Sequence, residues 1–259
     1  MWVFKIHIVY DIIEFGDCMK LVIIRHAEPN YEIDSLTEKG WREAELLSER
    51  ISKMDVKAFY CSPLGRAKDT AKATLKKMGR ECEICDWLEE FPAYIINPET
   101  NKPKIPWDIY PDIWTNVPEM YDKEKWVDTE LMQSGNVKEK YVEVCEKLDK
   151  LLEKHGYKRE GNYYRAVNPN NDTIVFFCHF GIECVLLSHI LGISPVALSH
   201  GFVALPSSVT TLATEERREG IAYFRCNGFG DLSHLYKGNE PASFAARFCE
   251  CYFNEDERH

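Results

Sequence analysis

The chain is 259 residues long, which fits one large domain or one domain that carries a long insertion. Apolar residues make up 45% of the chain and charged residues 29%, an ordinary globular composition that argues against disorder, collagen and coiled coil. The formal net charge of −10 would repel a phosphate backbone, so nucleic acid is not expected as a partner.

The sequence shows neither a membrane segment nor a secretion signal. No stretch approaches the ~18 uninterrupted apolar residues of a membrane helix. The N-terminal segment Met1–Cys18 carries Lys5, Asp11 and Glu14 where a signal peptide would need an apolar run. We therefore expect a cytoplasmic protein without a membrane partner.

The ten cysteines indicate buried thiols in the reduced form. The chain is much longer than the small secreted domains that depend on disulfides, and many of its cysteines lie in apolar runs. Cys82 and Cys85 could bind zinc together with Cys249 and Cys251, but the spacing is not that of a zinc finger. No metal site is predicted from these residues.

From residue 20 onward the predicted elements alternate between strands and helices. They are a strand at Lys20–Ile24, a helix that begins with a capping box of Ser35 and Glu38, a strand at Val56–Tyr60, a helix from Ala67 to Met78 closed by Gly79, a strand at Glu83–Leu88, a helix at Lys138–His155, a strand at Thr173–Cys178 and a helix from Ile182 to Leu191 that stops at Gly192. Val209–Thr214 and Ile221–Cys226 flank a charged turn and predict an antiparallel hairpin. This order predicts an α/β fold, a three-layer α/β/α sandwich with a mostly parallel central sheet.

The segment Phe91–Gly135 interrupts the alternation. It holds six of the twelve prolines and three of the six tryptophans, and it shows no clean period. A long irregular segment inside a compact domain is commonly a functional lid, although a purely structural excursion fits this sequence equally well. We therefore predict an N-terminal extension at 1–18, one α/β domain at 19–240 with a cap inserted at about 91–135, and a C-terminal tail at 241–259.

Polar residues follow three of the predicted strands. Arg25 and His26 come after the first strand, Arg66 lies just beyond the second, and His179 comes after the strand Thr173–Cys178. The carboxyl ends of parallel strands meet at one edge of a sheet, so these side chains can converge. Two arginines and an imidazole favour phosphate oxygens, and the pattern predicts an anion pocket.

With these residues in place, the sequence resembles the histidine phosphatase superfamily, which includes the cofactor-dependent phosphoglycerate mutases and many phosphomonoesterases. The resemblance rests on the block Leu21–Pro29, the helix entry Leu36–Gly40, the segment Ser62–Ala67 and the element His179-Phe180-Gly181. Order and spacing agree from about Met19 to Leu235.

The resemblance implies a role for each matched residue. His26 would be the nucleophile that becomes phosphohistidine, and Arg25, Arg66 and His179 would hold the phosphoryl oxygens. The general acid of the superfamily follows a Leu-x-Glu pattern, which here indicates Glu90, with Glu89 as the alternative. A protonated carboxylic acid at this position would donate to the leaving oxygen.

The sequence departs from the superfamily pattern in ways that bear on function. Ala27 replaces the usual glycine, and Phe180 follows His179 where a small residue is common. The mutase branch carries an asparagine where this chain has Glu32, and Phe91–Gly135 contains no arginine. These departures make mutase activity on phosphoglycerate doubtful.

Two other phosphatase chemistries fit less well. A cysteine-based site needs an arginine six positions after the cysteine, but Arg66 follows Cys61 by five, and Cys178 has Cys184 at the required place. Metal-dependent hydrolysis would need several ligands at suitable spacing, and His179 with Glu183 lacks a second convincing pair.

The sequence as a whole predicts an enzyme, a phosphomonoesterase that hydrolyses a small phosphorylated metabolite through a phosphohistidine intermediate. A phosphoglycerate mutase-type transferase and a non-catalytic protein that binds a phosphorylated ligand remain as alternatives. The resemblance implies neither a metal nor an organic cofactor. The sequence identifies neither the natural substrate nor the oligomeric state.

Overall fold

A central sheet of eight strands organises the protein. The computed structural model describes residues 18–246 and 250–254, so the predicted N-terminal extension lies outside the described residues except for Cys18. The described residues form twelve strands, which are β1 (Lys20–Arg25), β2 (Pro29–Asn30), β3 (Ser35–Leu36), β4 (Ala58–Cys61), β5 (Glu83–Ile84), β6 (Ile95–Ile96), β7 (Pro103–Lys104), β8 (Tyr157–Glu160), β9 (Tyr163–Ala166), β10 (Thr173–Cys178), β11 (Val209–Arg218) and β12 (Ile221–Asp231). Eight of them form the central sheet, while β2 pairs with β3 and β6 pairs with β7 in two small separate sheets. The helices are α1 (Glu38–Ile51), α2 (Gly65–Met78), α3 (Pro111–Trp114), α4 (Glu130–Gln133), α5 (Val137–Lys154), α6 (Phe180–Leu191), α7 (Pro195–Gly201) and α8 (Ser233–Lys237).

The large sheet has the order β5-β4-β10-β1-β11-β12-β9-β8. The four strands from β5 to β1 are mutually parallel, and the pairings from β1 to β8 are antiparallel. Of the eight strands, β11 and β9 run opposite to the rest, so the mostly parallel sheet expected from the sequence is confirmed. The parallel half places the carboxyl ends of β1, β4 and β10 side by side.

The side chains of the central strands alternate between two apolar layers. Leu21 and Ile23 of β1 belong to a larger core that also includes residues of α5, α6 and the cap. Val22 and Ile24 face a smaller core that is shared with α1 and α2. A strand buried on both faces reads as a continuous apolar run, which is why β1 and β10 are so clear in the sequence.

Several predicted element boundaries hold and others are corrected. Gly79 and Gly192 close α2 and α6 in the left-handed conformation, as their positions predict. The capping box at Ser35 was wrong: Thr37 caps α1 by accepting from the Gly40 N–H, because Ser35 is in β3 and donates to Asp69. The third predicted strand is shorter than expected, since β5 ends at Ile84 and a 3₁₀ turn follows at Asp86–Leu88.

The segment 91–135 is ordered and packs into the larger core. It contains β6, β7, α3, α4 and the 3₁₀ turns Pro118–Tyr121 and Trp126–Asp128. Trp107, Met120, Trp126 and Met132 are buried there. His200 of α7 accepts a hydrogen bond from the Ile109 N–H at 3.0 Å, which ties the segment to the main body.

The hairpin formed by β8 and β9 was not predicted. Its strands are four residues long and extend the sheet beyond β12. Among the described residues, no helix is both long and apolar enough to cross a membrane.

Candidate active site

The register of the parallel strands places the predicted site residues side by side at one edge of the sheet. Phe177 of β10 lies opposite Ile24 of β1 and Cys61 of β4. The His26 N–H then donates to the Cys178 carbonyl at 2.9 Å, and the Ser62 N–H donates to the Phe177 carbonyl at 2.9 Å. The residues just beyond the three strands are therefore neighbours at the carboxyl edge of the sheet.

His26 is buried, and one of its ring nitrogens has a fixed role. Nδ1 lies 2.8 Å from the Ala27 carbonyl oxygen, and because a carbonyl can only accept, Nδ1 carries the proton. Nε2 is therefore the basic nitrogen of the neutral ring, and it has no hydrogen-bond partner among the described residues. Burial and then the charge of Arg25 lower the pKa of His26 well below its ordinary value, which keeps the ring neutral.

His179 lies against His26 with the two ring centroids 5.1 Å apart. Its Nε2 lies 2.7 Å from the Ser62 hydroxyl oxygen, while its Nδ1 is buried without a partner in the described chain. Burial, followed by the proximity of His26 and Arg66, lowers the pKa of His179 well below its usual range. His179 is also the N-cap residue of α6, so the helix N-terminus adds positive potential at this point.

Arg25 is buried with 2% of its surface exposed. One of its terminal nitrogens donates to the Ala204 carbonyl at 2.5 Å and to the Ala246 carbonyl at 3.1 Å. The guanidinium lies over the Phe180 ring, 5.5 Å from the centroid. The phenylalanine that departs from the superfamily pattern therefore supports the arginine from within the core.

Arg66 enters the site from the first turn of α2 and is held by Asp34. Its Nη1 donates to Asp34 Oδ1 at 2.7 Å, and the Gly65 N–H donates to Asp34 Oδ2 at 2.6 Å. Burial alone would raise the pKa of Asp34, but these hydrogen bonds and the charge of Arg66 lower it overall. Asp34 has a φ of 47°, and Gly65 approaches its carbonyl so closely that a Cβ would lie 1.9 Å from the oxygen.

Glu90 places a carboxyl group beside the two histidines. Its Oε1 accepts from the Gly181 N–H at 2.8 Å, in the first turn of α6. A Cβ on residue 181 would lie 2.7 Å from that oxygen, so glycine is needed there. Burial raises the pKa of Glu90, against the opposing effect of Arg25 and Arg66, and favours the protonated acid.

One ligand atom from each of His26, Glu90 and His179 lies within 4.8 Å of the other two. Such a group could hold a metal ion by its chemistry alone, and it could equally surround a phosphoryl group. Glu89, the alternative acid, is not part of the cluster and lies instead near Lys140 of α5. The geometry thus brings Glu90, and not Glu89, to His26.

Sequence reasoning missed residues that hold the predicted ones in place. Ser62 stands directly after a strand and opens the segment Ser62–Ala67 that carries the resemblance, but the sequence assigned it no role. Asp34 lies in a loop, where the sequence gives no signal of its contact with Arg66. Glu183, fully buried on α6, was considered only as a possible metal ligand.

A sequence profile of the histidine phosphatase superfamily (branch 1) matches residues 21–227 of the chain. The match covers well over half of the sequence, and the chain belongs to this superfamily. A 2,3-bisphosphoglycerate-dependent phosphoglycerate mutase from Thermoplasma acidophilum is 38% identical over 61 residues, which cover 20% of this chain and 30% of that relative. The chain thus spans under a third of the length of this mutase.

Solved structures share the fold along most of their length. A phosphoserine phosphatase from Entamoeba histolytica, in complex with phosphoserine, aligns with a TM-score of 0.54 at 21% identity and covers 84% of this chain and 99% of its own. A mycobacterial glucosyl-3-phosphoglycerate phosphatase aligns with a TM-score of 0.52 at 17% identity, over 82% of this chain and 99% of its own. These similarities establish the α/β fold of the superfamily.

Proposed function

We propose that this protein is a phosphomonoesterase that hydrolyses a small phosphorylated metabolite through a phosphohistidine at His26. The observation that carries the proposal is a set of buried atoms without hydrogen-bond partners among the described residues: Nε of Arg25, Nε2 of His26, Nε of Arg66 and Nδ1 of His179. Buried polar groups are normally paired. A phosphoryl group at this position gives the arginines and His179 acceptors, and gives His26 an electrophile.

In the first step, Nε2 of His26 attacks the phosphorus atom and forms a P–N bond while the P–O bond to the leaving group breaks. Glu90 gives its proton to the departing oxygen, which leaves as an alcohol. The Gly181 N–H supports the carboxylate that results, because Oε1 already accepts from it. Phosphoryl transfer needs mainly positioning and charge stabilisation, which Arg25 and Arg66 supply.

In the second step, water attacks the phosphorus atom of the phosphohistidine. Glu90, now a carboxylate, accepts a proton from that water, and the P–N bond breaks to release phosphate. His26 returns to its neutral form with the proton still on Nδ1, where the Ala27 carbonyl holds it. The cycle therefore restores both groups.

We divide the chain as its sequence predicts. One α/β domain at 19–240 carries the proposed phosphate site, the segment 91–135 is a cap inserted in this domain, and the tail begins at residue 241. Trp107 of the cap lies close to Gly181, because a Cβ on that glycine would be 3.0 Å from the Trp107 ring. This position supports a role of the cap in substrate specificity. The cap therefore borders the general acid.

The test is turnover of p-nitrophenyl phosphate by the purified chain and by His26→Ala. We expect the wild type to release p-nitrophenol and His26→Ala to lose this activity, since no other nucleophile replaces Nε2. A quench without acid, followed by mass spectrometry, should locate the phosphate on His26 during turnover. A matched histidine variant, His189→Gln, should keep wild-type turnover, because His189 pairs with Asp149 away from the site.

Near wild-type activity in His26→Ala would refute the mechanism. Absence of turnover in the wild type, together with tight binding of phosphate, would instead assign the site to a phospholigand-binding protein. Product analysis separates the mutase alternative, because a mutase moves the phosphoryl group within its substrate and a phosphatase releases it.

Chelation tests whether the cluster of His26, Glu90 and His179 works through a metal. We expect activity to persist in EDTA and vanadate to inhibit, because vanadate adopts the five-coordinate geometry of the transition state. Loss of activity on chelation, restored by one divalent ion, would assign the cluster to a metal site.

A further inference from the structure

A buried carboxyl group on α1 lies one peptide away from the proposed nucleophile. The surface of Glu43 is 0% exposed, and its Oε2 accepts a hydrogen bond from the Glu28 N–H at 2.9 Å. Its Oε1 lies 3.2 Å from Lys39 Nζ. Glutamate is almost never fully buried unless it is paired, so this position needs an explanation in terms of its partners. The proposed mechanism does not use this carboxyl group.

The N–H that Glu43 binds belongs to the same peptide unit as the carbonyl that fixes His26. The Ala27 carbonyl and the Glu28 N–H are the two polar groups of one planar amide, so they turn together. The carbonyl oxygen lies 2.8 Å from His26 Nδ1, and the N–H donates to Glu43 Oε2. An acceptor that fixes the N–H therefore also fixes the direction of the carbonyl.

The two neighbouring peptide units are held by other residues. On one side, the Ala27 N–H donates to the Thr70 hydroxyl oxygen at 2.9 Å. On the other side, the Glu28 carbonyl accepts from the Thr37 N–H at 3.1 Å. Between these points the Ala27–Glu28 peptide can still turn as a unit about the single bonds that flank it. The hydrogen bond to Glu43 opposes that rotation.

This contact does not depend on the charge of Glu43. Burial raises the pKa of Glu43 to about 7, while the Glu28 N–H and Lys39 oppose the increase and the Glu28 carboxylate adds to it. Lys39 also pairs with Glu240 of the tail at 2.9 Å. A protonated carboxyl group keeps an oxygen that accepts, so Oε2 can hold the Glu28 N–H in either protonation state.

We propose that Glu43 is a positioning residue, which fixes the Ala27–Glu28 peptide and thereby keeps the proton of the His26 ring on Nδ1. If the peptide turns away, that proton loses its acceptor and the tautomer with the proton on Nε2 becomes accessible. In that tautomer Nε2 has no free lone pair with which to attack phosphorus. The effect on turnover rests on the proposed function, but the effect on the tautomer does not.

NMR measures the tautomer of His26 directly. In protein labelled with ¹⁵N-histidine, the chemical shifts separate a protonated ring nitrogen from an unprotonated one, and His26→Ala identifies the His26 signals by their loss. We expect the wild type to show one neutral tautomer, with the proton on Nδ1. Glu43→Leu should show a mixture of both tautomers. Glu43→Gln should keep the wild-type signals, because its amide oxygen can accept from the Glu28 N–H.

Turnover gives the second readout. We expect kcat/KM for p-nitrophenyl phosphate to fall about three- to tenfold in Glu43→Leu, the factor of one neutral hydrogen bond, and to stay near the wild-type value in Glu43→Gln. Phenyl phosphate should lose the same factor, because the change affects the nucleophile and leaves Glu90 intact. Glu45→Leu, the same substitution at an exposed position of α1, is the matched control and should change neither the signals nor turnover.

Glu43→Asp replaces Glu43→Leu if the latter does not fold. It keeps the carboxyl group but withdraws it by one methylene from the Glu28 N–H, so it should give the same mixture of tautomers. A wild-type His26 protonated on Nε2, or one unchanged tautomer in a folded Glu43→Leu or Glu43→Asp, would refute the positioning role whatever the turnover. A mixture in Glu43→Gln as well would refute positioning through the acceptor oxygen. The expected tautomers in a chain whose wild type has no turnover would refute the phosphatase and not the role of Glu43.

Discussion

Each proposed phosphate ligand is held by a hydrogen bond at one of its polar atoms, and another polar atom remains available to the substrate. His26 is fixed by the Ala27 carbonyl, His179 contacts the Ser62 hydroxyl, and Arg66 is bound by Asp34. A site held in this way needs little reorganisation when charge develops in the transition state. The residues that hold the ligands are therefore as much a part of the proposed site as the ligands themselves.

Glu90→Gln tests the proposed general acid. Glutamine keeps an oxygen to accept from the Gly181 N–H but cannot transfer a proton to the leaving group. We expect kcat/KM for phenyl phosphate, whose phenolate is a poor leaving group, to fall by about 10²–10⁴, because kcat/KM reports the transfer to His26 and not the later attack of water. The kcat/KM for p-nitrophenyl phosphate should fall much less, because its leaving group departs without acid assistance. Glu89→Gln is the matched control and should leave both rates near those of the wild type; equal losses on both esters in Glu90→Gln would argue against acid catalysis.

The pH profile of phenyl phosphate hydrolysis reports on the same residues. The lowered pKa of His26 keeps its ring neutral, so kcat/KM should begin to fall only at a pH below the ordinary histidine range. Burial raises the pKa of Glu90, and kcat/KM should decline as the pH rises through that value and the acid loses its proton. Steady-state rates across pH should show the alkaline decline in the wild type and not in Glu90→Gln. An acid limb at the ordinary pKa of histidine would contradict the desolvation of His26.

At the scale of elements, the sequence predicted what local patterns specify. β10 matches its prediction at both ends because both faces of the strand are buried, and a continuous apolar run results. Gly79 and Gly192 mark helix ends because the left-handed conformation at those positions favours glycine.

Elements that depend on distant contacts were less predictable. β5 is only two residues long, and its pairing with Tyr60 and Cys61 does not leave a period in the sequence. The hairpin β8–β9 is stabilised by β12, which lies far along the chain. In the site, Arg25, His26, Arg66, Glu90 and His179 were found from strand ends and the resemblance. The Asp34–Arg66 pair, in contrast, arises only when the loop before β3 meets the first turn of α2.

Trp107 tests the role of the cap. Its side chain is nearly buried, its ring lies 6.0 Å from that of Phe91, and it borders Gly181. Replacing the whole segment would expose the larger core, so a single substitution is the sharper experiment. We expect Trp107→Leu to change the order of kcat/KM values over a panel of phosphomonoesters while p-nitrophenyl phosphate changes less. Trp114→Leu is the control, because its ring packs on His200 instead, and it should leave the order unchanged. An unchanged order in Trp107→Leu as well would make the cap a structural element only.

At the scale of the whole molecule, the sheet keeps several ionisable groups out of water at its carboxyl edge. Arg25, His26, His179 and Glu183 are all buried there. Burying charge is costly, so the neutral forms of the histidines and carboxyl groups are favoured in the folded state. The same arrangement that prepares the proposed site therefore makes stability depend on pH.

Glu183 gives the clearest case, because both of its carboxyl oxygens are buried and neither has a hydrogen-bond partner among the described residues. Burial raises its pKa from the ordinary 4.5 to about 7, with Thr210 and Arg25 opposing the increase and Glu90 adding to it. The folded state then binds the proton more tightly than the unfolded chain, so the free energy of unfolding falls as the pH rises from about 4.5 to about 7.

Glu183→Gln removes this titration. Relative to the wild type, the variant should gain about 2.5 kcal/mol of unfolding free energy between pH 5 and pH 8, which is most of the free energy equivalent to the shift in pKa. Urea unfolding of both proteins at pH 5 and pH 8 measures their free energies of unfolding. Subtracting the wild-type values from those of the variant cancels the contribution of every other titrating group. Glu146→Gln, at an exposed position on α5, should instead give a curve parallel to that of the wild type. If Glu183→Gln were also parallel to the wild type, the carboxyl group would be solvated or paired in the folded protein, and its burial beneath Arg25 would not be the source of the pH dependence.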